Sequence, residues 1–197
     1  MRKRIANQPQ MQKTTPLPPT WIIKGELYSK EEPVIFGMTP FTVFHVLLSL
    51  IGIFSGFLAV FGMIAGKRLD GWTALFLTTT ALTSITGFFF PFHGVTPGII
   101  VGIVSLAILA VAIPARYVKH LAGAWRKIYA VTASIALYLN VFVLVAQLFM
   151  KVPALHALAP NGNEPPFLIS QAVLMAIFIV LTIAAAIKFH PEAVHAS

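Results

Sequence analysis

An all-helical integral membrane bundle is the fold this sequence predicts, and three observations predict it. Of 197 residues, 57% are apolar and only 10% are charged, whereas soluble domains carry roughly 25% charged residues. The mean hydropathy is +0.84. Five apolar segments, 41–65, 71–92, 97–115, 128–150 and 167–187, are each long enough at ~1.5 Å per residue to cross a ~30 Å hydrocarbon layer. None of them contains Asp, Glu, Lys or Arg. Lipid forces the backbone to satisfy its own hydrogen bonds, and uninterrupted runs of this length exceed barrel strands, which leaves helices. The expectation is about five transmembrane helices within residues 39–189, with a bundle interior free of formal charge.

The elements follow in order. Residues 1–38 are polar and carry Pro9, Pro16, Pro18, Pro19 and Pro33, a composition that cannot nucleate a core and reads as an extended tail. Its one apolar knot is Trp21-Ile22-Ile23. Arg2-Lys3-Arg4 is followed by Asn7-Gln8-Pro9-Gln10 instead of an apolar run, so it does not read as a cleavable signal. Thr39-Pro40 and Thr96-Pro97 each set a capping hydroxyl before a first-turn proline. The connections 66–70, 93–96 and 116–127 are short; 151–166 is longer, and its Pro160-Asn161-Gly162-Asn163 run reads as turns. Residues 190–197 form a short C-terminal tail.

The net charge of +8 resembles a nucleic-acid signal until the charges are located. They fall in the tail, in the turns and near the C-terminus, as topology determinants and contacts to anionic headgroups do. No nucleic-acid partner is expected; the bilayer is. Lys67, Arg68, Arg116, Lys119, Arg126, Lys127 and Lys188 share one face, with Trp72, Trp125 and Tyr129 as an interfacial belt. The positive-inside rule makes that face cytoplasmic, the N-terminus outside and the C-terminus inside, although Arg2-Lys3-Arg4 pulls the other way. The chain has no cysteine, which excludes disulfides, thiolate metal sites and cysteine nucleophiles.

Gly37-Met38-Thr39-Pro40 before the first segment is echoed by Gly94-Val95-Thr96-Pro97 before the third, 57 residues on. The same offset lays the second segment on the fourth. This points to a duplicated hairpin followed by one helix, though common capping preference explains so short a motif as well.

Two small-residue stripes are the clearest packing signal. Ser49, Gly52, Gly56, Ala59 and Gly62 recur on one face of the first segment, and Gly98, Gly102 and Ser105 on the third. Small residues let helix backbones approach closely in lipid, either within one chain or toward a second copy or a larger complex. Thr79 and Thr83 in the second segment, with Tyr138, Asn140 and Gln147 in the fourth, are polar residues inside the membrane. Interhelical bonding is their ordinary use, worth about 0.6–2 kcal/mol each; lining a polar cavity is the functional alternative. His45 and His93 fall near one face, on neighbouring segments, where two imidazoles could ligate haem b or a metal. Interfacial histidines are the plainer reading, because no carboxylate lies near to orient them.

The absences matter as well. Ion-coupled transporters and proton relays keep ionisable residues inside the membrane, and these segments have none. There is no phosphate-binding glycine loop, no His-Glu-x-x-His and no nucleophile–base–acid set, so no catalytic residues and no enzyme are expected.

Phe88-Phe89-Phe90-Pro91-Phe92-His93-Gly94, Lys151-Val152-Pro153-Ala154-Leu155-His156 and Glu164-Pro165-Pro166-Phe167 resemble uncharacterised small multi-pass inner-membrane proteins of proteobacteria. The resemblance covers most of residues 40–190. It implies a bacterial inner (cytoplasmic) membrane and carries no catalytic residues. The expectation is then a non-catalytic accessory or assembly component that packs through glycine-rich helix faces. The alternatives are a passive channel or facilitator for a neutral solute or lipid and, third, a haem b redox subunit using His45 and His93.

Overall fold

A computed structural model describes residues 39–90 and 97–190. The polar tail, His93 and residues 191–197 lie outside the described residues. Among the described residues there is no strand. The helices are α1 (Pro40–Ile64), α2 (Asp70–Gly87), α3 (Pro97–Tyr117), α4 (Trp125–Lys151), the single turn α5 (Pro153–His156) and α6 (Pro165–Lys188).

Proline sets four of the starts. Pro40, Pro97, Pro153 and Pro165 each open a helix, where the missing N–H is not needed and the fixed φ already suits the first turn. Glycine ends α1. Gly66 has φ 73°, its N–H donates to Met63 O at 3.0 Å, and the Lys67 N–H donates to Gly62 O at 2.8 Å. That pair of bonds is a Schellman cap, which requires a left-handed residue. The chain then turns tightly through Leu69 into α2.

Several boundaries differ from the sequence expectation, among them three that bear on the packing. The second helix was expected to reach residue 92 but stops at Gly87. The N–H groups of Phe88 and Phe89 bond Ile85 O and Thr86 O, both at 3.1 Å, a tightened last turn just ahead of Pro91, which disfavours helix in the residue before it. The third helix continues past Pro114 to Tyr117, two residues beyond the expected Ala115. The fourth begins at Trp125, ahead of the expected Ile128, so Arg126 and Lys127 are helical.

Four helices, α1, α3, α4 and α6, are long and apolar enough to cross a membrane. The expected fifth, α2, falls short of that standard. Its 18 residues include Asp70, six threonines and Ser84, and they span only ~27 Å at ~1.5 Å per residue.

The helices run up and down around α4, which packs against α1, α3 and α6. At one end the α1–α2 turn, the end of α3, the start of α4 and the end of α6 come together: Arg116 reaches Arg68 and Asp70, and Tyr129 meets Phe189 with ring centroids 6.1 Å apart. At the other end Phe41 lies 5.0 Å from Phe90 and Phe149 lies 5.4 Å from Phe167. Between the ends, the small residues of α1 let three helices meet. A Cβ on Gly56 would fall 2.6 Å from Leu137 Cδ1 and 2.8 Å from Phe76 Cδ2, closer than carbon atoms approach. Phe178 of α6 closes this layer against Phe57 and Tyr138. The outward faces of α3 and α6 carry Ile100, Ile103, Val111, Ile169, Val173, Val180 and Ile187 exposed, an apolar belt suited to lipid.

Candidate functional site

The most unusual chemistry lies at the first of these ends. Arg116 is 1% exposed, the largest of the fully buried side chains. This corrects the expectation of an interior without formal charge: α3 continues for two residues beyond its expected end and carries the guanidinium inward. Nη2 of Arg116 donates to Arg68 O at 3.1 Å and to Asp70 Oδ1. Its guanidinium carbon lies 5.1 Å from the Tyr129 ring centroid and 5.8 Å from that of Tyr117, within cation–π range.

Asp70 is placed by the cap that ends α1. It is the first residue of α2, where a carboxylate also interacts favourably with the helix dipole, and its side chain is 70% exposed. It holds a second cation as well, since Arg68 Nε lies 3.4 Å from the same Oδ1, near enough to pair but not aligned for a hydrogen bond. One carboxylate therefore faces two guanidinium groups.

The remaining donors lack acceptors. Nε and Nη1 of Arg116, Nε of Arg68, Nε of Arg126 and the Tyr129 hydroxyl are all enclosed without a hydrogen-bond partner. Thr73 and Arg116 both lie beside the Tyr129 hydroxyl, but neither is aligned with it; the Thr73 hydroxyl instead donates to Arg68 O at 3.4 Å. Tyr129 was expected in an interfacial belt with Trp72 and Trp125. It is instead fully buried beneath Arg116, whereas Trp72 is 42% exposed and Trp125 packs under the Lys119 ammonium at 5.6 Å. Among the described residues this end carries Lys67, Arg68, Arg116, Lys119, Arg126, Lys127 and Lys188 against Asp70 alone, while the other end has Lys151 and Glu164.

No family model matches the chain, and no curated protein or solved structure shows significant similarity to it. The site is read from its own chemistry.

The other candidate residues divide by location. Gly52, Gly56, Ala59 and Gly62 are buried within the chain, and Ser49 is half-buried. A Cβ on Gly52 would lie 3.1 Å from Thr79 Oγ1, and one on Gly62 would lie 2.5 Å from Leu69 Cδ1. The α1 stripe thus faces α2, α4 and the first turn, with no room for an outside partner. On α3, Ser105 is buried, Gly102 sits against Phe88, and Gly98 is exposed.

Asn140 is buried and donates to Thr80 Oγ1 at 2.9 Å, joining α4 to α2. Gln147, two turns on, is exposed, so the two amides do not form one polar patch. Thr79 returns its hydroxyl to Leu75 O at 2.7 Å, Ser84 to Thr80 O at 2.9 Å and Thr86 to Leu82 O at 2.8 Å, which is how a hydroxyl-rich helix tolerates burial. Thr83 Oγ1 is enclosed without a partner. Tyr138 is half-buried and packs on Phe142 and Phe178. Gln171, which periodicity did not single out, is buried and donates to Phe142 O at 3.2 Å, with its Oε1 unpartnered.

His45 lies at the opposite end from Arg116. Its Nδ1 is 2.9 Å from Thr86 Oγ1. The same hydroxyl reaches Leu82 O at 2.8 Å. The ring also meets Phe90 edge-on at 5.0 Å. His45 thus ties α1 to the end of α2. Among the described residues no group of three His, Asp or Glu gathers as metal ligands would.

Proposed function

We propose that the chain is a non-catalytic multi-pass protein of a bacterial inner membrane that crosses the bilayer five times and serves as an accessory or assembly component of a larger membrane complex. The observation that carries this reading is where the polar groups in the middle of the bundle are used. Asn140 bonds Thr80 across two helices, and Thr79, Ser84 and Thr86 return their hydroxyls to carbonyls of their own helix. The first holds helices together, and the others are satisfied locally and are not free for chemistry. Counting α2 as a span rests on these three hydroxyls being satisfied in this manner and on its lying between two ends of opposite character. The basic end faces the cytoplasm in this reading, with the C-terminus inside.

Purification in a mild detergent, followed by native electrophoresis, tests the reading. A discrete species larger than one chain, with reproducible partners, is the expected result; a lone monomer under every mild condition would count against it.

A second reading, a passive facilitator for a neutral solute or lipid, is favoured by three enclosed polar atoms without partners: Thr83 Oγ1, Ser134 Oγ and Gln171 Oε1. Unpartnered buried polar atoms are uncommon in folded proteins, and each calls for an explanation. If Gln171→Leu combined with Thr83→Val leaves neutral-solute uptake into proteoliposomes unchanged, that reading is lost.

A further inference from the structure

Five enclosed donors without acceptors occur at the basic end, on Arg68, Arg116, Arg126 and Tyr129. All of these groups can donate, and guanidinium groups cannot shed their protons to escape the mismatch. Asp70 is the only acid at that end among the described residues, and its Oδ1 serves both Arg68 and Arg116. The cluster therefore keeps a surplus of positive charge and of donors, and what it lacks is an acceptor-rich anion.

The position of that missing acceptor follows from the carboxylate already present. Arg116 is buried, yet it is bonded by a residue whose side chain is 70% exposed. Asp70 thus reaches the guanidinium from the outer side, at the level of the helix ends. A phosphate group at the same level would carry the same charge with more acceptor oxygens, matched to the planar guanidinium fork. The same end also carries Lys67, exposed, and Lys119 packed on Trp125, basic side chains of the kind that meet anionic headgroups.

We propose that Arg68 and Arg116, with Arg126 at the same end of the bundle, form a site for the phosphate of an anionic phospholipid, and that Asp70 is the resident carboxylate which the phosphate displaces or shares. The site rests on the chain spanning a bilayer with its basic end in a headgroup layer. It does not depend on whether the protein is an accessory component.

Asp70 makes the proposal testable, because a competing carboxylate and a contributing cation must shift binding in opposite directions. The full-length protein in neutral detergent is titrated with phosphatidylglycerol, with phosphatidylcholine and with inorganic phosphate, and native mass spectrometry reads the bound fractions. Phosphatidylglycerol is expected to bind more tightly than phosphatidylcholine. A single basic residue near an anionic surface corresponds to about fivefold in binding, so Arg68→Gln should weaken phosphatidylglycerol binding by about that factor. Asp70→Asn should strengthen it by a similar factor. Lys151→Gln, at the other end, should change neither.

Inorganic phosphate that binds and competes at millimolar concentration identifies the phosphate group alone as sufficient. Lipid binding that free phosphate does not disturb identifies the headgroup in its layer as the ligand. Equal binding of the two lipids, or Arg68→Gln and Asp70→Asn shifting affinity in the same direction, would overturn the proposal. Arg68 is the cation chosen because it is partly exposed, so its loss spares the core; circular dichroism of each variant checks the fold. A chain that stays monodisperse without detergent and binds neither lipid would overturn the membrane reading itself. One that needs detergent but shows no preference would overturn the site alone.

Discussion

The two ends of the bundle solve the same packing problem with different chemistry. At the basic end, a buried cation is held by an exposed carboxylate, a backbone carbonyl and two aromatic rings. At the opposite end, neutral groups close the bundle: His45 bonds Thr86, and Phe41, Phe90, Phe149 and Phe167 pack in pairs. The difference shows where each end is vulnerable. A neutral contact that is lost leaves a small void or one unpaired hydroxyl. A lost carboxylate leaves a charge enclosed in the bundle.

The largest effect expected from this contrast is that of Asp70→Asn. Leaving a buried charge without its partner costs about 3–5 kcal/mol, but Asp70 is mostly exposed and water screens its pairing. A loss of about 1–2 kcal/mol is therefore expected, read as a lower melting temperature in detergent. His45→Phe, at the other end, removes one hydrogen bond and keeps the ring, so about 1 kcal/mol is expected from the same melt. Arg116→Met should cost less than either, within about 1 kcal/mol of the parent, because an apolar side chain of similar size fits the buried site and the abandoned Asp70 can be hydrated. If Arg116→Met proved far more damaging than Asp70→Asn, the cation would be a structural keystone in its own right and the asymmetry would be broken.

The smallest effect concerns Glu164, in the loop of the opposite end. Slight desolvation acts to raise the pKa of its carboxyl. Hydrogen bonds from the backbone and side chain of Asn161, from its own N–H and from Asn163 outweigh this and hold it below the ordinary range. A carboxylate depressed in the folded state stabilises its loop above the unfolded value, near pH 4.5, and that contribution disappears as pH falls through the lower folded value. Protection of the Asn161 and Asn163 amides from hydrogen exchange, taken relative to the intrinsic rate at each pH, should therefore fall on acidification below about pH 4, and Glu164→Gln should abolish that dependence. Melting temperature should barely move, because the group is exposed.

The helices were legible in the sequence because lipid imposes long apolar runs, and because Pro40, Pro97 and Pro165 mark their starts. What was not legible follows from the last turns. The uncharged run ends at Ala115, which puts Arg116 in the following turn, yet the helix carries Arg116 on and inward; Asp70, the lone acid among the basic turns, was the available sign that a cation there needed a partner. Spacing alone could not tell Tyr129 from Trp72, since both lie at corresponding positions of the two hairpins while only one is roofed by a guanidinium. Asn140 and Gln147 share a helical face by periodicity, but burial depends on which neighbour reaches each level, and that is tertiary information. For α2, length and charge pointed to a membrane span, whereas its load of threonines puts it below the other four in apolar character.

That helix decides whether the two ends lie on opposite sides of a membrane. The chain has no cysteine, so single cysteines need no altered background. Lys67→Cys stands just before α2, and Phe89→Cys stands just after it at a position 72% exposed. In intact cells a membrane-impermeant thiol reagent should label Phe89→Cys at once and Lys67→Cys only after permeabilisation. Labelling of both from the same side would contradict the account, because α2 would then lie against the bilayer without crossing it.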